Sequence, residues 1–511
     1  MKKNYGIMLL ILCIIQIGLG ISFGMQKTNF HVDEIYSFGL ANNTTGTTMS
    51  IPQGELIDRS VLDDYVTVDT NHRFDYSNVW KNQAADVHPP LYYVLIHTIS
   101  SLFPGKFMLA GGIGLNIMFS LIATLLIYFI TKELTNHNGL PILVCAVWSV
   151  SLGTITFIVF IRMYMILTVF MLAITLLHIK YLHKKLTFQF YLSVLFLSVL
   201  GVLTQYYFLI YLFFLCLLFG VNLLMNKNFK SAFLYLLSLG GSGIIAIGLF
   251  PAMLTQIFSG YRGKESFDNI ANTSDLVDRY KTYYKIISKE LFNEKMTILL
   301  ILLLLLGIVF IIRNSKDICW RDAIFSGFNL LLFPSICYFV IVSKISVFVT
   351  DRYIMPIFPI ILILVILSFT YLSSKLVTIK YMVTLEACIF ILLSVVGLAQ
   401  NSNINYLYKE TSPAIQFAAS NKEADVLVVY TGAWRLNAAY EELIQYDHLR
   451  IISTKKLAKF TETIDNYGNT IVYIIGDDPL DTLANLMNMN PRWSSYTLES
   501  TSQYTNIYLV N

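Results

Sequence analysis

Four short strings in this 511-residue chain gather side chains able to do chemistry. They are His31-Val32-Asp33-Glu34, His88-Pro89-Pro90-Leu91-Tyr92-Tyr93, Ile161-Arg162-Met163-Tyr164 and Asp351-Arg352-Tyr353. Carboxylates are a residue type that accepts a proton from a reacting group. Guanidinium groups are the type that grips anions with paired hydrogen bonds. Every string borders an apolar run, where polar groups are costly to place and so draw attention. Structural roles also fit each of them. Asp33 and Glu34 read as solvated loop acids, and His88-Pro89-Pro90 as a helix start, where proline is at home. Arg162 and Arg352 read as side chains snorkelling to lipid headgroups or contacting carbonyls at a helix end.

The elements that position these strings are apolar helices. Hydrophobic residues make up 56% of the chain and charged residues 13%, about half the charged share of a soluble domain. Candidate spans cover 5–24, 107–131, 140–158, 163–183, 188–204, 206–225, 231–255, 296–313, 322–343, 353–373 and 380–399, giving about eleven transmembrane helices. The first, after Met1-Lys2-Lys3, is long and has no clear small-x-small site behind it, so it reads as an uncleaved helix with a cytoplasmic amino terminus. With that orientation, thirteen Lys and Arg fall in inner loops, among them Lys2, Lys3, Lys316, Arg321 and Lys375. Only Arg162, Lys344 and Arg352 fall in short outer ones. The apolar stretch 91–103 is too short to span comfortably and is kept outside as an interfacial or re-entrant helix.

This threading leaves 25–106, 256–295 and 400–511 outside, and it brings all four strings to one side of the membrane. Within 256–295, the spacing of Leu276, Tyr280, Tyr283, Tyr284 and Ile287 predicts a helix lying on a surface over 274–291. The stretch 401–511 reads as a small extracytoplasmic α/β domain. Its strands are 426–430, 450–453 and 471–475, its helices 438–445 and 481–487, and 493–510 could add a hairpin. No glycine-rich phosphate loop opens a helix there. The six cysteines, including Cys319, lie in or beside apolar runs, without disulfide-framework or zinc-ligand spacing. A net charge of +4 gives no sign of a nucleic-acid partner.

The order of the strings, with Thr204-Gln205-Tyr206-Tyr207 between the arginine pairs, resembles the protein O-mannosyltransferase and aminoarabinose transferase-like superfamily. These are membrane glycosyltransferases of the GT-C fold that use a polyprenyl-phosphate sugar as donor. The resemblance covers roughly 1–400, and His-Pro-Pro-Leu-Tyr-Tyr is its most specific part. Many relatives carry His at the position of Gln205. The expected fold is therefore an all-α polytopic GT-C-like bundle over 1–400, followed by the α/β domain at 401–511.

The resemblance also implies roles. The acid after the first helix is the base that deprotonates the acceptor hydroxyl, which maps onto Asp33. Glu34 either assists or exchanges roles with it. Arg162 and Arg352, with Tyr164 and Tyr353 beside them, would hold the donor phosphate, and His88 would contact the phosphate or the acids. Tyr92, Tyr93, Gln205 and Tyr206 would line the substrate pocket. No cofactor is required, and a divalent cation near Asp33 and Glu34 is compatible. The expected activity is inverting transfer of a sugar to a hydroxyl of a surface polymer, lipid or protein, at the outer face of a bacterial cell membrane and among its lipids. The rival readings are a transporter or flippase of lipid-linked sugars, and a non-catalytic assembly or sensor protein. A flippase would need charges lining the bundle near mid-membrane, and the spans carry almost none.

Overall fold

The computed structural model describes residues 4–271, 274–314, 324–374, 379–401, 404–465 and 467–511. Lys2, Lys3, Lys316, Cys319, Arg321, Lys375 and the first two residues of the expected 322–343 span lie outside the described residues.

Among the described residues, seven helices are long and apolar enough to cross a membrane, or up to nine if two bent pairs each count as one span. The chain is a multi-pass membrane protein. An apolar helix stands at each of the eleven expected spans, but Phe188–Val202 and Asn329–Ile345 run only 15 and 17 residues. The helix Tyr5–Gly24 and the helix Phe229–Leu249 leave most of their apolar surface uncovered by protein, Ile244 being 75% exposed. Such exposure would be a liability in water and is natural against lipid.

Three boundaries differ from expectation for local reasons. The stretch 140–158 is two helices, Leu140–Val150 and Leu152–Val159, bent by 55°. Ser151 accepts a bond from the Thr154 N–H on its hydroxyl and so caps a new start inside an apolar run. The expected span 231–255 ends at Leu249, because Pro251 precedes a separate helix Ala252–Phe258. The helix expected over 274–291 is Leu276–Phe292, and it meets Met296–Asn314 at 88°. Leu91–Leu102 is a single 12-residue helix.

The C-terminal region builds a six-stranded sheet of β1 (Leu56–Asp58), β2 (Val426–Tyr430), β3 (His448–Ser453), β4 (Thr470–Ile475), β5 (Tyr496–Ser502) and β6 (Thr505–Val510), in the order β1-β3-β2-β4-β6-β5. Strands β3, β2 and β4 are parallel, while β1 and the β5–β6 hairpin join antiparallel. Strands β2 and β4 are buried along their whole length, as parallel strands covered on both faces must be. Alternate residues divide between the two faces. Val426, Val428 and Tyr473 join the main core, while Leu427, Val429 and Val472 pack with Leu483 and Leu486 of the helix Pro479–Met489. The helix expected at 438–445 is instead a 3-10 segment, Ala433–Ala439, followed by one α turn, Tyr440–Leu443.

Strand β1 was not expected, and it comes from the loop 25–106 rather than from the C-terminal stretch. Gln53 sews it in, accepting from the Ser453 N–H at 2.8 Å and donating to the Tyr430 hydroxyl at 3.0 Å. Gly54, at φ +74°, passes so close to the Phe460 ring that a Cβ would overlap it.

A buried acid in this sheet region gives a stability prediction. Glu442 accepts from Ser502 at 2.8 Å through one oxygen, while the other is buried with no partner among the described residues. Burial pushes its carboxyl up to about 7. A raised folded-state value favours the protonated fold. Stability is therefore fully present below the ordinary value of 4.5 and is lost as pH rises through about 7. Glu442→Gln is expected to stabilise the region by about 3 kcal/mol at pH 8 and by almost nothing at pH 4, below the ordinary value. Hydrogen exchange of β5 and β6 in the full-length protein checks this, and a gain independent of pH would contradict it.

Candidate active site

Each of the four strings sits at a break between helices, and each break has a local cause. The helix Val32–Asn42 begins with a capping box. His31 Nδ1 accepts from the Asp33 N–H at 3.1 Å, and the Glu34 carboxylate reaches back to the His31 N–H at 2.8 Å. Asp33 thus stands in the first turn, where the helix dipole favours a negative charge. Pro90 caps the helix Leu91–Leu102, and the Leu91 N–H donates to the Leu203 carbonyl at 3.0 Å, which ties that start to the turn carrying Gln205. Arg162 lies in the gap between Leu152–Val159 and Tyr164–Tyr181. Arg352 sits in the 3-10 turn Asp351–Tyr353, whose Asp351 carboxylate accepts from the Arg352 N–H at 2.7 Å.

These breaks converge on one cavity of about 920 Å³, a size suited to a ligand of drug scale or larger. Asp33, His88, Arg162, Tyr164, Gln205, Tyr206, Arg352 and Tyr353 all line it. Arg352 forms an ion pair with the Asp33 carboxylate. Arg162, 2% exposed, donates to the Asp33 carbonyl at 3.1 Å, the Ser37 hydroxyl at 2.7 Å and the Tyr93 hydroxyl at 3.2 Å. Its other terminal nitrogen lies 3.3 Å from His88 Nε2, and His88 Nδ1 lies 2.9 Å from Asp86. That geometry suits a neutral His88 that donates to Asp86 and accepts from Arg162. The Nε atoms of both arginines are buried and have no hydrogen-bond partner among the described residues.

Electrostatics separates the two acids. Burial opposes the charge on Asp33, yet Arg352, with Arg162 behind it, holds the carboxyl well below the usual carboxylate range. Burial lowers His31 to about 4, so that ring is neutral at neutral pH. Glu34 is not part of the cavity lining. It is wholly buried, paired with Lys27 at 2.9 Å, and it accepts from the Ile161 N–H at 2.8 Å as well as from His31. Burial pushes its carboxyl up, against the pull of Lys27. A cation shared between Asp33 and Glu34 does not fit these residues, because Glu34 is turned to Lys27 and to the His31 and Ile161 N–H groups and stays out of the cavity that Asp33 lines. Among the described residues no group of three or more His, Cys, Asp or Glu is arranged around a metal position.

Tyr93 stands behind Arg162 as a hydrogen-bond partner, and Tyr92 is buried; neither lines the cavity. Several lining residues did not stand out in the sequence. Arg262, from the helix Tyr261–Ala271, adds a third cation and pairs with Glu265 at 2.8 Å. Gln256 binds the Tyr206 hydroxyl and the Gln83 and Asp86 carbonyls. Trp434 and Tyr504 come from the C-terminal sheet region. Arg262 was hidden in a polar amphipathic stretch, and Trp434 carried no motif.

Three guanidinium groups in a single cavity with the Asp33 carboxylate, and with Asp86 held by His88, suit an anionic group at the arginines and proton acceptance at Asp33. No family model matches the chain, and no curated protein matches its sequence. Among solved structures it is similar to ArnT from Cupriavidus metallidurans, both bound to undecaprenyl phosphate and in the apo state. The bound form gives a TM-score of 0.55 at 10% identity, covering 100% of this chain and 98% of that one. The apo form gives 0.57 at 11% identity, covering 98% and 97%. The shared fold, running from end to end, is the GT-C-like arrangement expected from the strings, and it includes the C-terminal region.

Proposed function

We propose that this protein transfers a sugar from a polyprenyl-phosphate donor to a hydroxyl of a cell-surface polymer, lipid or protein, with inversion, at the outer face of the membrane. The meeting of the Asp33–Arg352 pair with Arg162 in one cavity carries this reading. The ArnT structure bound to undecaprenyl phosphate supports the class of donor. In the reaction the acceptor oxygen attacks the anomeric carbon as its proton passes to Asp33. The bond from that carbon to the phosphate oxygen breaks, and its electron pair leaves on the phosphate. Arg352 and Arg162 stabilise the charge that gathers there. Tyr164, Tyr353 and His88 border the phosphate, and Gln205 and Tyr206 border the sugar or acceptor.

The resting ion pair has a consequence for the base. A phosphate that draws Arg352 away leaves Asp33 with less positive charge around it and therefore more basic. The donor would thus prepare the base as it binds. Glu34 has a structural role in this reading, closing the capping box and neutralising Lys27. The membrane module comprises 1–400, and 401–511 is an extracytoplasmic domain to which the loop 25–106 lends β1. Labelled polyprenyl-phosphate sugars supplied to membranes of a deletion strain, with and without the restored protein, test the activity. Protein-dependent label in envelope material supports it, and its absence with every donor tried contradicts it.

Orientation has its own test. In a background stripped of native cysteines, Glu423→Cys is expected to react with an impermeant thiol reagent in intact cells. Asn226→Cys is expected to react only after the membrane is opened. The reverse pattern would contradict both the topology and an outer-face site.

A further inference from the structure

The C-terminal sheet changes its direction of winding between β2 and β4. From β2 the chain passes to β3 on one side, then returns to β4 on the other. In open α/β sheets, ligands lie outside the carboxyl ends of the parallel strands at such a switch point. The loops leaving β2 and β4 there are 431–439 and 476–478. Arg435 bridges them, pairing with Asp477 of one and donating to the Thr431 hydroxyl of the other.

The same guanidinium lies 5.1 Å from the Trp434 ring centre and 5.4 Å from that of Tyr504. The two rings meet edge to face at 5.3 Å. Both line the cavity that holds Asp33 and Arg352, and Trp434 remains 42% exposed. The turn carrying Tyr504 is fixed to the segment carrying Asp33, since Gln503 Nε2 donates to the Phe30 carbonyl at 2.6 Å. A partly exposed indole that lines a cavity, braced by an arginine and a tyrosine and sharing that cavity with polar side chains, suits a pyranose ring. Such a ring offers an apolar C–H face and hydroxyls at its edge.

We propose that the C-terminal domain supplies a carbohydrate subsite to this cavity, in which Trp434, braced by Arg435 and Tyr504, stacks on a sugar ring. Calling the cavity's other end a donor-phosphate site rests on the function proposed above; the subsite itself does not.

The test is saturation-transfer NMR on the full-length protein in detergent, with methyl glucoside, methyl mannoside and methyl N-acetylglucosaminide as probes. Undecaprenyl phosphate binding is measured on the same samples. The wild type is expected to transfer saturation to at least one glycoside. Trp434→Ala and Tyr504→Ala are expected to reduce that signal at least threefold while binding undecaprenyl phosphate as the wild type does. No signal in the wild type, or equal signals in wild type and both variants, would overturn the subsite. A signal that depends on Trp434 in a protein that does not bind undecaprenyl phosphate would keep the subsite and sink the donor reading instead. Polyprenyl-phosphate mannose at saturation separates the sources. Displacement of the glycoside assigns the ring to the donor, and retention assigns it to the acceptor.

Discussion

Asp33→Asn is expected to lower sugar transfer by about a hundred- to ten-thousand-fold, the usual contribution of a general base. The substitution keeps the size of the side chain, and its amide oxygen can still accept from Arg352. What it removes is the ability to take the acceptor's proton as the glycosidic bond breaks. Donor binding should remain close to wild type, because the arginines that hold the phosphate are intact. Glu34→Gln provides the contrast. Its carboxylate is committed to Lys27 and to the N–H groups of His31 and Ile161. Loss of that charge strands Lys27 and weakens the helix cap, so the expected signature is reduced stability or yield, with turnover per folded molecule far less affected. Transfer rates normalised to folded protein check both variants. Near-normal turnover by Asp33→Asn would remove the base from the scheme.

The second large effect concerns Arg352. Arg352→Lys preserves the positive charge but loses the planar fork that meets a phosphate with two parallel bonds. A fall in transfer of about a hundred- to a thousand-fold is expected, the scale of losing one preorganised donor to a charge that develops in the transition state. Arg352→Ala should do at least as much harm and should also free Asp33 from its closest cation. The two consequences are separable, since weaker donor binding reports the phosphate contact and a changed pH dependence of transfer reports Asp33. Unchanged transfer by Arg352→Ala at normal expression would reduce Arg352 to an anchor for its helix.

Much of this architecture is legible in the sequence because lipid demands it. Spans announce themselves as uncharged apolar runs, and the parallel strands β2 and β4 do so as short, almost wholly apolar ones. The break at Ser151 is silent, because both helices it separates are equally apolar and the cap is one hydroxyl. Strand β1 is silent too, being three residues long and chosen by its partner β3 rather than by its own pattern. In the site, the strings point to Asp33, His88, Arg162 and Arg352, which the fold brings into one cavity. The difference between Asp33 and Glu34 lies in the position after the cap. A glutamate three residues past His31 turns back to close the capping box, while the aspartate before it faces the cavity. Arg262 and Trp434 reach that cavity only through tertiary placement, so no local spacing could reveal them.

The most direct measurement is binding of undecaprenyl phosphate to the purified full-length protein, followed by native mass spectrometry beside phosphatidic acid as a competing phospholipid. Wild type and Asp33→Asn are expected to bind one molecule of undecaprenyl phosphate in preference to the phospholipid, and Arg352→Ala to bind it at least tenfold more weakly. Equal binding of both lipids, or binding that Arg352→Ala leaves unchanged, would contradict a polyprenyl-phosphate site in this cavity.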